Sequence, residues 1–254
     1  MEKQPVDISF AIITLNCEKT LERCLSSIPP GAEIILLDSG STDRTAEIAR
    51  AHGANVFQES FTDFSSQKNK ALHHSNRSWV FSLDGDEVLS DELKTIILSI
   101  SRSDEKKGFM IQRRLFFMGK TLCFGGTRDY PLRFFPKESG WFQGEIHEKY
   151  ICKYPVEKIN SGYLLHLSYP NLEIYFNKFN RYTSKIAEQK HEKLSPPKFV
   201  AHTLRFWFEF IRRYFLQFGF LDGYPGYVYA LVSSLYAFVK YAKAFEMAHD
   251  KNPK

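Results

Sequence analysis

Apolar and polar positions come in blocks along the first hundred residues, and the block lengths set the expected elements. Residues 8–14 (ISFAIIT) form a continuous apolar run rich in β-branched side chains, which predicts a strand covered on both faces. Asn16 is expected to cap a helix in which Leu21, Leu25 and Ile28 recur at helical spacing, with Pro29-Pro30 ending it. Residues 33–37 (EIILL) read as a second strand. Ser41 or Thr42 is expected to cap a helix ending near His52, where Gly53 supplies the stop. Val56 and Phe57 mark a short third strand, residues 64–74 a helix, and residues 79–83 a fourth strand. Apolar strands alternating with helices predict an α/β fold, a mostly parallel sheet flanked by helices. Ligands of such sheets bind at the carboxyl ends of the strands. Asn16, Asp38 and Asp84 all fall there, so they are expected to line one crevice.

The fourth strand runs into an acidic turn, WVFSLDGDEVLS, with Asp84, Asp86 and Glu87 inside four positions. Such charge is costly beside a buried strand unless water or a cation offsets it. Gly85 is expected to let the chain turn sharply, so that the two aspartates face one side and hold a hard divalent cation through oxygen. The other reading is a solvated Asp-Gly turn.

Composition narrows the class. With 254 residues, 43% apolar and 25% charged, the chain is long and apolar enough for one large domain, or a domain and a tail. A net charge of +5 without any RNP, zinc-finger or basic-zipper pattern argues against nucleic acid. Cys17, Cys24, Cys123 and Cys152 form no CxxC and have no zinc-finger histidine, so they read as reduced thiols of a cytosolic protein. Residues 1–13 have no apolar core followed by a cleavage site and are expected not to be a signal peptide.

Four segments occur in a telling order: AIITLNCEKTLERCLSSI (11–28), ILLDSGSTDRT (35–45), SQKNKAL (66–72) and LDGDE (83–87). Together they resemble glycosyltransferase family 2, inverting enzymes of GT-A fold that use nucleotide sugars. The form DSGSTDRT, where DDGSTDGT is more common, resembles the bacterial branch that glycosylates lipopolysaccharide core. The resemblance implies that Thr14 and Asn16 hold the nucleotide and that Asp38 accepts a hydrogen bond from uracil. Asp43 lies near the base or ribose, or else caps its helix. Lys68 and Asn69 stand close to the nucleotide sugar. Asp84 and Asp86 match the DXD metal motif for Mg²⁺ or Mn²⁺, Asp86 being the direct ligand. A cation there would neutralise the leaving diphosphate. The general base comes from GEIHEKY (144–150): Glu148 matches the branch's His-Glu pair, Glu145 is the alternative, and His147 orients the site. The alternative for both glutamates is an exposed i, i+3 pair. Arg128 and Arg133 are expected to touch phosphate or acceptor, or to form surface salt bridges. His166 is either a core histidine or a metal or pyrophosphate ligand. Arg181 and Tyr182 match the branch without an assigned role.

The last third differs in pattern. SPPK (195–198) reads as a linker, dividing a catalytic domain at 1–194 (nucleotide-sugar half 1–100, acceptor half 101–194) from a helical, amphipathic tail at 195–254. Phe is frequent, at 23 residues with 13 Tyr, and many of these lie beyond 200. Arg205, Glu209, Arg212, Arg213 and Gln217 make a narrow polar stripe on an aromatic face, which suits a helix lying in a membrane interface. Residues 223–239 carry no charge but would reach only about 25 Å as a helix, short of a bilayer's roughly 30 Å core. The expected tail is therefore monotopic or re-entrant, the alternative being internal or dimer packing.

The expected activity is transfer of a sugar, glucose foremost, from a UDP-sugar to a lipopolysaccharide core or other lipid-linked glycan at the cytoplasmic face of the inner membrane. Two rivals remain. A sugar-nucleotide pyrophosphorylase would need a Gly-rich loop after the first strand, and ITLNCEKT is not one. A nucleotide-binding, membrane-associated protein without transferase activity gives no reason for both the DGD turn and the later His-Glu pair.

Overall fold

The structure, a computed structural model, describes residues 6–144, 148–190 and 199–250. The chain runs β1 (Ile8–Thr14), α1 (Glu18–Ser26), β2 (Glu33–Asp38), α2 (Thr45–Ala51), β3 (Asn55–Gln58), α3 (Phe64–His74), β4 (Trp79–Asp84), β5 (Glu87–Leu89), α4 (Asp91–Ile100) and β6 (Gly108–Met110). It continues through β7 (Arg113–Phe117), β8 (Lys120–Thr121), β9 (Arg128–Asp129), β10 (Leu132–Pro136), β11 (Gly140–Gln143), β12 (Lys149–Cys152), β13 (Val156–Lys158) and β14 (Leu164–Tyr169) to the helices α5 (Leu172–Lys190), α6 (Phe199–Ile211) and α7 (Tyr224–Asp250).

Two compact units result. The first comprises residues 1–113 and 129–167, the second residues 114–128 and 168–254. The expected boundary at SPPK lies outside the described residues. The observed division comes earlier because α5 packs on α7 and so belongs with the tail.

In the first unit a seven-stranded sheet has the order β13-β6-β10-β4-β1-β2-β3. Strands β4, β1, β2 and β3 are parallel, as continuous apolar runs require, and β10 inserts antiparallel beside β4. Side-chain alternation feeds two cores. Ile8, Phe10 and Ile12 pack with Leu21 and Leu25 of α1 and with Leu93 and Ile97 of α4. Ala11, Leu37 and Val80 pack on the opposite face with Ala71 and Leu72 of α3 and with Phe142 and Tyr150 of β11 and β12. Burying such side chains contributes about 1.5–3 kcal/mol each. The sheet is thereby closed on both faces, and the strands' carboxyl ends are the edge left for chemistry.

Local capping departs from expectation in the first two helices. Asn16 is not the cap of α1; it takes a left-handed conformation (φ 52°), and Cys17 stands at the cap position. Helix α2 begins at Thr45, three residues later than a Ser41 or Thr42 cap would set, because Asp43 rather than either hydroxyl bonds its first turn. Helix α3 matches its expected bounds, with Asp63 accepting the Ser66 N–H at 2.9 Å.

In the second unit, Leu115, Phe117, Leu122, Tyr175 and Val232 form the core. Helix α7 is one continuous helix rather than a broken or re-entrant segment, because Pro225 sits in its first turn, where no N–H is needed. No helix among the described residues is long and apolar enough to cross a membrane.

Candidate active site

The loops after β1 and β2 are knitted together. Asn16 N–H donates to Ser41 Oγ at 2.8 Å, and Asn16 Oδ1 accepts the Thr42 N–H at 2.9 Å. Asp43 accepts from the Thr45 N–H at 3.0 Å and the Glu18 N–H at 3.1 Å, so one carboxylate ties both helix starts. Burial is the largest single influence and opposes its charge, but the hydrogen bonds from Thr45 and Glu18 together prevail and lower its pKa. Asp43 thus stands one residue before the Arg44 cap of α2 and bonds the first turn of that helix.

Asp38 is fully buried. Its carboxylate accepts from Thr14 Oγ1 at 3.2 Å, the Gly40 and Ser41 N–H groups at 3.2 and 2.9 Å, and the Ser41 hydroxyl. Both of its oxygens thus organise the loop between β2 and α2. Asn69 likewise turns inward. Its amide donates to Phe142 O at 2.8 Å and accepts the Phe142 N–H at 2.7 Å, clamping β11 to α3.

The acidic turn is offset by the protein's own cations. Arg133, buried on β10, donates to Asp84 Oδ2 at 2.6 Å and Glu87 Oε1 at 2.7 Å. It is thus neither a surface salt bridge nor exposed to phosphate. Arg113 lies 3.2 Å from Glu87 Oε1 and pairs with Asp129 at 2.5 Å. Lys68, 4% exposed, stands 3.2 Å from Asp84 Oδ1 and 3.0 Å from Glu148 Oε1. Seven residues of alternating sign thus run Asp129, Arg113, Glu87, Arg133, Asp84, Lys68, Glu148. Burial works against ionisation of Asp84, but Arg133 and Lys68 outweigh it and hold the carboxyl well below the usual carboxylate range. Glu87, absent from the expected site, is fully buried and also accepts the Asp84 N–H at 3.0 Å.

Asp86 stands apart from this chain. Its Oδ2 is 3.4 Å from His166 Nε2, and His166 is brought there by β14, which pairs His166 with Glu87 of β5. Of its two readings, His166 is on the acidic turn, not in the core. Among the described residues no three His, Cys, Asp or Glu side chains converge as a cation cage. An oxygen and an imidazole nitrogen nonetheless fit a divalent cation that takes its other ligands from substrate phosphate and water, as Mg²⁺ commonly does and as suits Mn²⁺. Asp84 fits less well as a direct ligand. Its Oδ2 is bonded to Arg133, and its Oδ1, which has no hydrogen bond, faces the Lys68 ammonium, which would repel a second cation.

Gly85 serves close packing rather than an unusual backbone angle. A Cβ there would stand 2.9 Å from Thr14 Cγ2 and 3.2 Å from Cys17 Sγ. Burial pushes the Cys17 thiol up to about 11, so it stays neutral under the turn. Gly85→Ala should displace the turn and destabilise the fold by about 1–3 kcal/mol. Thermal unfolding of the variant checks this, an unchanged midpoint being the contrary result.

Arg128 is exposed on β9 with its guanidinium 5.5 Å from the Phe124 ring, and Arg181 lies over the Tyr182 ring at 5.1 Å. Neither belongs to the cluster just described. Glu145 and His147 lie outside the described residues. A cavity of 810 Å³ lies along the outer face of α3, lined by residues including Glu59, Lys70, His73, His74 and Phe142. The charged cluster, not this cavity, holds the groups suited to catalysis.

Residues 9–155 match the profile described as Glycosyl transferase family 2. The chain is 28% identical to the lipopolysaccharide core biosynthesis glycosyltransferase LpsC of Rhizobium meliloti, over 94% of this chain and 92% of that one. It is 29% identical to an uncharacterized glycosyltransferase of Rickettsia typhi, over 95% and 87%. Among solved structures, S. aureus TarS aligns over 91% of this chain and 49% of its own, with 15% identity and a TM-score of 0.46. Glucosyl-3-phosphoglycerate synthase from Mycobacterium tuberculosis, in complex with Mn²⁺, UDP and phosphoglyceric acid, aligns over 44% and 43%, with 23% identity and a TM-score of 0.32.

Proposed function

The chain belongs to glycosyltransferase family 2, and from that premise we propose that it moves a hexose, glucose foremost, from a UDP-sugar to a lipopolysaccharide core or similar lipid-linked glycan at the cytoplasmic face of the inner membrane. The relative named for lipopolysaccharide core biosynthesis supports the acceptor class, since it matches along almost its whole length. The observation that carries the chemistry is the cluster at the strand ends. It places a carboxylate–imidazole pair, Asp86 and His166, on the same acidic turn as Asp84, and Lys68 pairs Asp84 with a second carboxylate, Glu148.

In this reading Asp86 and His166 hold the cation. Bound there, Mg²⁺ or Mn²⁺ supplies Lewis-acid neutralisation of the charge that develops on the departing diphosphate. Lys68 adds a fixed positive charge beside it. Asp38 and Asp43 hold the two loops that form the nucleotide's edge of the site, with Asn16 exposed on it. Glu148 accepts the proton of the acceptor hydroxyl as that oxygen attacks the anomeric carbon and the bond to the diphosphate breaks. Arg133 and Glu87 fix the position of Asp84, and Asn69 fixes β11, which leads toward Glu148.

Incubation with UDP-sugars, Mn²⁺ and a lipopolysaccharide core acceptor should release UDP only when donor and acceptor are both present. Release from no UDP-sugar would remove this reading. Pyrophosphate-dependent formation of a sugar nucleotide would favour a pyrophosphorylase instead.

A further inference from the structure

Helix α7 is inside out. Beside the core residue Val232, the positions it buries carry small residues, Gly226, Ala230, Ser234, Ala237 and Ala244, spaced three, four or seven apart. Its exposed side carries Tyr227, Leu231, Leu235 and Phe238, spaced three and four apart. Helix α6 also exposes large apolar side chains, Leu204, Trp207, Phe208 and Ile211, at 47–61%. Between the helices Phe215, Leu216, Phe218 and Leu221 are 53–66% exposed. Fourteen of the 24 large exposed apolar side chains among the described residues fall between Leu204 and Phe238, far beyond the scattered singles normal on a surface.

This turn is held rigidly. Asp222, 3% exposed, accepts the N–H groups of Cys123 and Phe124 at 2.9 and 2.8 Å, and Lys120 donates to its carbonyl at 2.9 Å. Arg213 donates to Gly125 O at 3.0 Å. At Gly226 a Cβ would stand 2.1 Å from Gly219 O, so the backbones touch. The apolar side chains are thus presented on a fixed frame, not a collapsed one.

The charges say what covers them. From α6 to the end of α7 the chain carries Arg205, Arg212, Arg213, Lys240 and Lys243 against Glu209 and Asp222, with Glu246 and Asp250 only in the last turns of α7, beyond the apolar surface. Asp222 is buried, and Glu209 is neutralised by Arg212 at 2.7 Å and Arg213 at 3.4 Å. The other three cations contact neutral groups: Arg205 and Lys240 lie over tyrosine rings, and Lys243 bonds Asn180 and Ser184. The surface therefore offers apolar tips with positive charge, and two copies would bring like charges together.

We propose that this surface, from Leu204 to Phe238, docks into the interface of an anionic bilayer, with the aromatic and aliphatic tips inserted and Arg205, Lys240 and Lys243 at the headgroups. It lies on the membrane and does not span it. The proposal deepens the reading of a lipid-linked acceptor, but vesicle binding without donor or acceptor tests it separately from transfer.

The full chain should co-sediment with vesicles of phosphatidylcholine containing phosphatidylglycerol, and less with phosphatidylcholine alone. Trp207 fluorescence should shift to the blue on binding, and Trp207→Phe should remove that shift while binding persists. Leu216→Gln with Leu221→Gln, both at exposed positions, should weaken partitioning about tenfold or more, since two apolar side chains lose their burial. UDP release toward a soluble acceptor fragment should not change in that variant. A chain that stays in the supernatant with anionic vesicles overturns the proposal. So does a lipid-free dimer in which the Trp207 shift appears on concentration alone. Failure of transfer with vesicle binding intact would instead count against the glycosyltransferase reading.

Discussion

Asp86→Asn is expected to lower sugar transfer about 10²- to 10³-fold, the several kcal/mol that a correctly held cation contributes at a leaving diphosphate. The substitution removes one charge and keeps the shape, so the turn should survive. The Asp86 carbonyl also accepts the Leu167 N–H at 2.7 Å, a backbone anchor that the substitution leaves in place. The neighbouring Asp84→Asn behaves differently. It leaves Lys68 and Arg133 short of a counter-charge and should cost roughly 2–3 kcal/mol of stability, below the 3–5 of a fully enclosed pair because Asp84 keeps some exposure. Two measurements separate the aspartates: thermal unfolding, which should move for Asp84→Asn and barely for Asp86→Asn, and turnover against Mn²⁺ concentration. Near-normal turnover of folded Asp86→Asn at saturating Mn²⁺ would remove Asp86 from the cation site. Wild-type activity that resists chelator would remove the cation itself.

Much of the first unit's framework was legible because its signals are local and repeated. A run such as ISFAIIT has no polar face to turn outward, so it has to lie between two layers of helices. The loops were less legible, since cap choice depends on partners far along the chain. Asn16 and Ser41 meet only because β1 and β2 are neighbours, and Asp43 outcompetes the hydroxyls because it reaches both helix starts. The tail's length was harder to read, because the uncharged stretch 223–239 is only part of α7, which runs from Tyr224 to Asp250 with Pro225 tolerated in its first turn.

At the site, residue types were legible and directions were not. The acidic turn announced a strand-end cluster, but sequence spacing cannot say which carboxylate faces inward. Glu87 does, and it meets Arg113 and Arg133, which lie 26 and 46 residues away in sequence. The cation expected to relieve the repulsion was a metal ion. In the structure three basic side chains already relieve it at Asp84 and Glu87, which leaves the metal reading to Asp86 and His166. The family resemblance sets Lys68 and Asn69 together near the nucleotide sugar, while successive helix positions point about 100° apart. Lys68 faces the carboxylates while Asn69 faces β11.

Glu148→Gln should leave UDP binding within a few-fold of normal and lower turnover about 10²-fold or more, the usual contribution of a positioned general base. The argument rests on what the substitution spares. Glu148 stands at the start of β12, whose partner β11 is pinned by Asn69 and whose Tyr150 stacks on Phe135 at 3.7 Å and bonds Ser139 at 3.0 Å. None of these contacts involves the carboxylate. A glutamine still offers Lys68 an oxygen at the place where Glu148 Oε1 now accepts at 3.0 Å, so the ammonium keeps a partner and Asp84 keeps its counter-charge. What disappears is the group that takes the acceptor's proton. Lys68→Met provides the contrast, because it strips charge from the donor's side of the site and should weaken UDP binding as well as turnover. The decisive comparison is turnover and UDP affinity of Glu148→Gln beside Glu145→Gln. A large loss of turnover with UDP affinity intact identifies the base. If that pattern belongs to Glu145→Gln, Glu148 is left as the partner that holds Lys68 in place.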